Sequence, residues 1–255
     1  MKYTYKWFKK MTELPLEDKL IWTEQVILGA LKENKTPAVS LSWGKDSIVM
    51  LDLVRKHCKN TLVLYANTKC EYPETYKYRD EMLIGYFKGI NYVETEPIKT
   101  FWECVEEYGF PEIRTNKKGK YRQPKCCLFL KERPLMRKEK ELGVDCVFMG
   151  LQATESMHRR LLLLRMGEYY FNKQQKRNIV LPLAIWNNQD VWEYAELNNI
   201  PMNPIYEKMD RNGCMFCTGF KNWQKVMSKY NPNLTAGIMR KMGQSTMRDC
   251  VQNTA

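Results

Sequence analysis

Two kinds of apolar pattern alternate along the chain. Short, nearly continuous runs occur at 38–41 (AVSL), 61–67 (TLVLYAN), 90–95 (INYVET) and 146–152 (CVFMGLQ), and their length and composition predict buried strands. Between them, apolar residues recur at helical spacing. Residues 18–33 (DKLIWTEQVILGALKE) place Leu20, Ile21, Val26, Ile27, Leu28 and Leu31 at most of the apolar positions of an amphipathic helix, ended by Asn34-Lys-Thr-Pro37. Ile48, Val49, Leu51, Leu53 and Val54 make a second helical stripe directly after the first strand. Further helices are expected from Pro73, over 100–109, over 127–141, and over 188–200, with Val191, Trp192, Tyr194 and Leu197 mostly on one side. Residues 168–172 and 178–186, joined by KQQKR, suggest a hairpin on the sheet edge. The tail, 219–255, reads as two short helices split at Asn231-Pro-Asn, with a polar, frayed end; the first dozen residues fit no clear element.

Strands alternating with helices imply crossover connections. The expected class is therefore α/β, with a mostly parallel twisted sheet and helices on both faces. Helical extensions at 1–36 and 221–255 would flank a domain at 37–220. Ligands on such sheets bind beyond the C-terminal ends of the strands, which puts the 42–47 and 67–75 loops at the expected site.

The first of these loops carries the clearest chemistry. Ser42-Trp43-Gly44-Lys45-Asp46-Ser47 joins a strand to a helix. That geometry aims backbone N–H groups and the positive helix end at one point, where an anion can sit. Gly44 permits close approach, Lys45 adds a charge, and Ser42 and Ser47 add hydroxyls. The loop is not a Walker sequence, which needs G-x-x-x-x-G-K-[ST]. The alternative is a solvated turn capping an ordinary helix, with Asp46 or Ser47 near its N-cap.

Composition narrows the partners. Lys and Arg total 41 against 29 Asp and Glu, a net charge of +12 spread along the whole length. Such a surface suits nucleic acid, nucleotides or an acidic partner, or serves solubility alone. The basic stretch 114–125 (RTNKKGKYRQPK) is either a solvated loop or a lid that contacts phosphate. No apolar run reaches the roughly 18 residues that span a bilayer, and the N-terminus has no signal-peptide pattern. The expectation is a cytoplasmic protein without membrane partners.

Nine cysteines is a high count for such a chain, and an odd number argues against a disulfide framework. Two pairs stand out. Cys126 and Cys127 are adjacent, and Cys214 and Cys217 form C-x-x-C. Four thiolates from two segments fit zinc or an iron–sulfur cluster. The tandem pair is awkward around one tetrahedral zinc, so a [4Fe–4S] cluster is favoured over zinc. The C-x-x-C alone also fits a redox dithiol. Cys70 lies in the loop expected to face the nucleotide, and Cys250 lies on the tail as a candidate nucleophile.

Five ordered segments resemble the phosphoadenosine phosphosulfate (PAPS) reductase-like family of the PP-loop, or adenine nucleotide alpha hydrolase-like, superfamily. They are LSWGKDSIVML, NTKCEYPETYKYRDEM, CCLFLKERPL, GLQATESMHRR and PLAIWNNQDVWEYAELNNIPMNPIYEKMDRNGCMFCT, spanning roughly 37–220. The resemblance implies an ATP pyrophosphatase fold. It implies nucleotide contacts from Ser42, Gly44, Lys45, Asp46, Ser47, Asn67, Glu155 and Arg159, and cluster ligation by Cys126, Cys127, Cys214 and Cys217. Lys131 would tune the cluster or meet a phosphate or sulfate. Trp43 replaces a usual glycine or small residue, and Gln152 stands where an arginine is common. The tail lacks the reductases' Glu-Cys-Gly-x-His ending, so only Cys250 could be their nucleophile.

Lys45 and Asp46, which those reductases tend to lose, are present and favour ATP with Mg²⁺, both residues being catalytic candidates. The expected activity is adenylylation of an acceptor with release of pyrophosphate, for sulfur transfer, with nucleic acid as acceptor and a separate sulfur-donor protein. The alternatives are reduction of adenylyl sulfate or its 3′-phosphate to sulfite, and a non-enzymatic binding module with structural zinc. An oligomer is compatible with all three.

Overall fold

The computed structural model describes the backbone of residues 1–112, 114–115, 121–122 and 124–252, and side chains of 1–112 and 124–243. The chain forms two compact units that interleave along the sequence. The first comprises 1–65, 77–95 and 135–203; the second comprises 66–76, 96–134 and 204–255.

The first unit is organised on a six-stranded sheet. Its strands are β1 (Pro37–Leu41), β2 (Leu62–Ala66), β3 (Asn91–Thr95), β6 (Cys146–Met149), β7 (Tyr169–Asn172) and β8 (Arg177–Val180), in the order β3-β2-β1-β6-β8-β7. β1 pairs in parallel with β2 on one side and β6 on the other, and β8 continues in parallel beside β6. β7 closes the edge antiparallel to β8, as the expected hairpin. The strand stops at Val180, however. Leu181–Trp186 is a run of turns around Pro182, as buried as a strand but without its ladder. The chain leaves β1 for β2 and β3, then returns to β6 on β1's other side. That reversal makes the C-terminal end of β1 a topological switch point, the usual place for a ligand in an open α/β sheet.

Helices α2 (Leu16–Glu33), α3 (Lys45–His57), α8 (Met157–Met166) and α9 (Asn188–Leu197) belong to this unit. In α2 the buried face is Leu16, Lys19, Thr23, Ile27 and Ala30. Ile21 and Leu28, read from the sequence as core, are 56% and 49% exposed. Two polar residues displaced them because each has a buried partner. Lys19 bonds both oxygens of Asp190 at 3.0 and 2.7 Å. The Thr23 hydroxyl donates to Pro182 O and accepts from Trp186 Nε1. Asp190 also accepts from Asn187 N, completing a capping box at the start of α9. On α9, Val191, Tyr194 and Ala195 are buried while Leu197 is exposed. The unplaced N-terminus forms α1 (Tyr5–Thr12), capped by Thr4, with Tyr3 stacked on Trp7.

The second unit holds the start of α4 (Pro73–Ile84), α5 (Phe101–Tyr108), the short β4–β5 ladder (Arg114–Thr115 with Tyr121–Arg122), α6 (Lys125–Cys127), α10 (Trp223–Tyr230) and α11 (Pro232–Gln252). Phe101, Phe110, Phe129, Leu130, Met227 and Ile238 form its core with Cys70, Cys104 and Cys126. The helix expected over 127–141 is interrupted. A π-helical turn, Leu128–Glu132, separates α6 from α7 (Arg133–Glu141). Pro134 has no N–H for the carbonyl four residues back, and the ladder widens there. The tail forms two helices split at Asn231 as expected, α10 of 8 residues and α11 of 21, the second longer than the short helix expected; Asn231 caps its start and Pro232 suits the first turn. Most of the basic stretch 114–125 and the last residues of the tail lie outside the described residues. Among the described residues, no helix is long and apolar enough to cross a membrane.

Candidate nucleotide and cysteine sites

The 42–47 loop lies at the switch point of the first unit, between the end of β1 and the start of α3. Helix α3 begins at Lys45 with Gly44 as its N-cap, so Lys45, Asp46 and Ser47 occupy the first turn. The loop is braced internally. Ser47 Oγ donates to Gly44 O at 2.9 Å and accepts from Ser42 N at 3.1 Å, and the Ser42 and Ser47 hydroxyls lie 3.0 Å apart. Gly44, the N-cap, has no side chain with which to close the helix start, and a helix N-terminus is a setting that suits an anion.

The structure accounts for Trp43. Its backbone is left-handed, with φ of 57°, while Gly44 is extended at −90°. The position that a glycine would favour is thus filled by tryptophan. Its ring is fully buried against Tyr65, Tyr78 and Tyr92, and its carbonyl accepts from Asn203 Nδ2 at 3.1 Å. The side chain anchors the loop to the core from beneath.

Asp46 is the hub of the local electrostatics. Lys45 Nζ bonds its Oδ1 at 2.6 Å, and Gln152 Nε2 donates to the same oxygen. Arg159 pairs with Glu155, four residues earlier and ahead of α8, and also lies in the field of Asp46. Burial lowers the Arg159 pKa, with Asp46 opposing the shift. Gly150 follows β6 and packs directly on the α3 start: a Cβ there would come within 2.9 Å of the Asp46 carbonyl carbon and oxygen. Sequence reasoning did not single out Gly150, and it took Gln152 as a weakened anion contact. A glycine directly after a strand, facing the loop at a switch point, was the available signal.

The remaining expected residues belong to the second unit. The Asn67 side chain is committed locally, its Oδ1 accepting from Lys69 N and Tyr76 Oη. The four cysteines come from two segments. Cys126 and Cys127 form α6 just before the π turn that carries Lys131. Cys214 and Cys217 close a tight turn, with Cys217 N donating to Cys214 O at 3.1 Å. A third segment, 68–71, runs beside that turn. Met215 N donates to Cys70 O at 2.7 Å, Glu71 pairs with Cys214 in an isolated antiparallel bridge, and the Cys214 thiol faces Thr68 Oγ1 at 3.6 Å.

The sulfurs share one electrostatic environment. The Cys126 thiol is held up by its hydrogen bond with Cys127, then by burial and the fields of Cys127, Cys217 and Cys214. Burial pushes Cys214 up to about 11, and Lys131 opposes it. Burial also raises Cys217, against a backbone hydrogen bond from Gly219 and the charge of Arg211. Lys131 is held protonated chiefly by Cys214, with Glu71, Cys127 and Cys217 adding to the effect. Among the described residues no three His, Cys, Asp or Glu side chains stand close enough to share one metal ion. Cys250 lies on α11, and its side chain is outside the described residues.

The sequence profile of the phosphoadenosine phosphosulfate reductase domain matches residues 36–220. Adenosine 5′-phosphosulfate reductase 2 of Bacillus subtilis is 27% identical over 219 residues, covering 84% of this chain and 86% of that protein. The phosphoadenylyl-sulfate reductase of Candida auris, solved as a phosphate complex, aligns with a TM-score of 0.57 at 17% identity, covering 84% of this chain and 97% of that one. The U34-tRNA thiolase NcsA from Methanococcus maripaludis, solved with its [4Fe-4S] cluster, aligns with a TM-score of 0.50 at 16% identity, covering 90% and 79%. The two structural likenesses carry the α/β fold. The profile match extends over most of the chain and over all five motifs, and on it the chain belongs to the phosphoadenosine phosphosulfate reductase domain family.

Proposed function

We propose that this protein reduces a sulfonucleotide, adenylyl sulfate or its 3′-phosphate, to sulfite and the corresponding nucleotide. The observation that carries this reading is the family match over 36–220 together with similarity, over 84% of this chain and 86% of the relative, to a protein named as an adenosine 5′-phosphosulfate reductase. The phosphate loop is the proposed nucleotide site. Backbone N–H groups at the start of α3, the Ser42 and Ser47 hydroxyls and Lys45 would hold the phosphate, whose charge grows as the bond to sulfate breaks. A protein thiolate attacks the sulfate sulfur. The sulfur–sulfur bond forms, the sulfur–oxygen bond breaks, and its electron pair leaves on the nucleotide phosphate. An external dithiol then reduces the S-sulfo intermediate, releasing sulfite and becoming a disulfide. Cys250 is the proposed nucleophile.

Cys126, Cys127, Cys214 and Cys217 would hold a [4Fe–4S] cluster, which when bound supplies a redox-active metal centre. The donor set fits: four thiols in one electrostatic field, with Lys131 as a shared cation to offset thiolate charge.

A second reading is favoured by one observation, the Lys45–Asp46 pair at the start of α3. There the nucleotide is ATP with Mg²⁺, the product is pyrophosphate, and an adenylylated acceptor such as nucleic acid receives sulfur from a donor protein. One anaerobic preparation tests both. Sulfite release from adenylyl sulfate or its 3′-phosphate, with a protein dithiol as reductant, supports the first reading. Pyrophosphate release from ATP without sulfite formation supports the second and overturns the first.

A further inference from the structure

A cavity of about 630 Å³ opens in the first unit where β2 and β3 begin. Its walls come from the last turns of α3, the 58–60 segment that leads into β2, the 86–90 turn that leads into β3, and Asn198 at the end of α9. β1 and β2 run parallel, so this is the opposite end of the sheet from the phosphate loop. Lys45 and Lys56 stand at the two ends of α3, roughly 16 Å apart along the helix axis.

Four cations line this cavity, Arg55, Lys56, Lys59 and Lys88, against one carboxylate, Asp52. Asp52 is 1% exposed and its oxygens are fully engaged. The Tyr86 hydroxyl donates to Oδ1 at 2.9 Å and the Tyr194 hydroxyl to Oδ2 at 2.8 Å. Arg55 and Lys56 lie 3.5 and 3.3 Å from the same two oxygens. A buried carboxylate needs charge compensation, and the last turn of a helix favours cations. These reasons account for Arg55 and Lys56. They do not account for Lys59, which lies beyond the helix, or for Lys88, which comes from another element. Among the described residues neither has a carboxylate partner. The cavity therefore carries a surplus of positive charge whose members repel one another until an anion enters.

The floor of the cavity is fixed in advance. Lys56 Nζ donates to Tyr194 Oη at 2.6 Å and to Asn198 Oδ1 at 2.8 Å. Arg55 Nη1 donates to Tyr86 O at 2.8 Å, and its guanidinium lies over the rings of Tyr86 and Phe87. Long basic side chains held in place beforehand lose less freedom on binding. The volume falls in the range of small-molecule sites, which suits a compact ligand better than an extended strand.

We infer that this cavity is a second anion site, separate from the phosphate loop, and that it takes a small oligophosphate between Lys59, Lys88 and the fixed Arg55.

The test is calorimetric titration of full-length, anaerobically purified protein with inorganic pyrophosphate. The proteins compared are the wild type, Lys45→Ala to weaken the phosphate loop, and the double variant Lys59→Gln with Lys88→Gln. Both of the latter lysines are exposed, so the double variant should fold with an unchanged melting temperature. Pyrophosphate binding should survive Lys45→Ala. It should weaken on the order of tenfold in the double variant, a few-fold for each exposed charge pair. Amine acetylation read by mass spectrometry locates the ligand. Pyrophosphate should protect Lys59 and Lys88 and leave the exposed Lys77 on α4 as reactive as before. Unchanged affinity in the double variant, or no protection of either lysine, overturns the inference. Protection of both by a single-stranded oligonucleotide but not by pyrophosphate overturns the small ligand and gives the cavity to nucleic acid.

Discussion

Replacing Trp43 separates two effects that the structure places on one residue. The indole is fully buried among Tyr65, Tyr78 and Tyr92, with ring centroids 6.3, 6.2 and 5.9 Å away. Truncating a buried aromatic to alanine costs about 3–5 kcal/mol. The backbone at Trp43 is left-handed, which costs a residue with a Cβ about 1–2 kcal/mol. Alanine still bears that cost, and glycine does not. Glycine loses more chain entropy on folding, worth about 0.5–1 kcal/mol in regular structure. The net expectation is that Trp43→Gly is the more stable variant by roughly 0.5–1 kcal/mol, although it removes one carbon more. Both should lie about 2–5 kcal/mol below the wild type. Urea unfolding under reducing conditions, followed by far-ultraviolet circular dichroism, measures this if the slopes stay equal. An alanine variant as stable as the glycine variant would refute the backbone argument. A loss below about 1 kcal/mol in both, well short of the buried-aromatic range, would refute the anchoring role of the ring. In the folded fraction, Trp43→Gly should keep nucleotide affinity, because the loop conformation is one that glycine prefers.

Other expectations follow from particular contacts. Lys19→Met strands the buried Asp190 carboxylate and should cost about 3–5 kcal/mol in urea unfolding; restoration by a second change, Asp190→Asn, would confirm the pairing. Gly150→Ala drives a Cβ into the backbone of Asp46 and Ser47, with contacts of 2.9–3.0 Å. It should cost about 1–3 kcal/mol and weaken binding of adenylyl sulfate or ATP in a calorimetric titration. Burial raises Cys146 to about 12, and burial together with Asp52 raises Tyr86 to about 12. The folded state therefore retains protons that the unfolded state releases. This contribution is complete below about pH 9 and is lost as the pH rises through about 12, so the melting temperature should decline over that interval. Cys217→Ser should abolish the broad visible absorbance and the iron and sulfide content of anaerobic protein; an unchanged spectrum would remove Cys217 from the ligand set.

The layout of strands and helices was legible because the central strands are buried on both faces and read as continuous apolar runs. The strand–loop–helix turn at 42–47 was legible because strand, small polar residues and helix follow one another within a few residues. What escaped depends on distant partners. Nothing near Lys19 announces a buried lysine, since Asp190 lies 171 positions away. The apolar residues of 181–186 look like strand because burial, not strand pairing, selects them. Trp43 reads as an anomaly until its tyrosine cage is assembled from β2, β3 and α4. The cysteine pairs were visible from spacing, whereas the 68–71 segment beside Cys214 is joined to it only by folding. Gln152 appeared as a missing charge, and its contact with Asp46 gives it a role.

The central claim is that the phosphate loop presents a sulfonucleotide to protein thiol chemistry. Its most direct test is sulfite release by anaerobically purified protein given adenylyl sulfate, its 3′-phosphate or ATP, with a protein dithiol as reductant. The account predicts dithiol-dependent sulfite from one of the two sulfonucleotides, lost in Lys45→Ala and in Cys250→Ser. Absence of sulfite from both sulfonucleotides, with pyrophosphate formed from ATP, would contradict it.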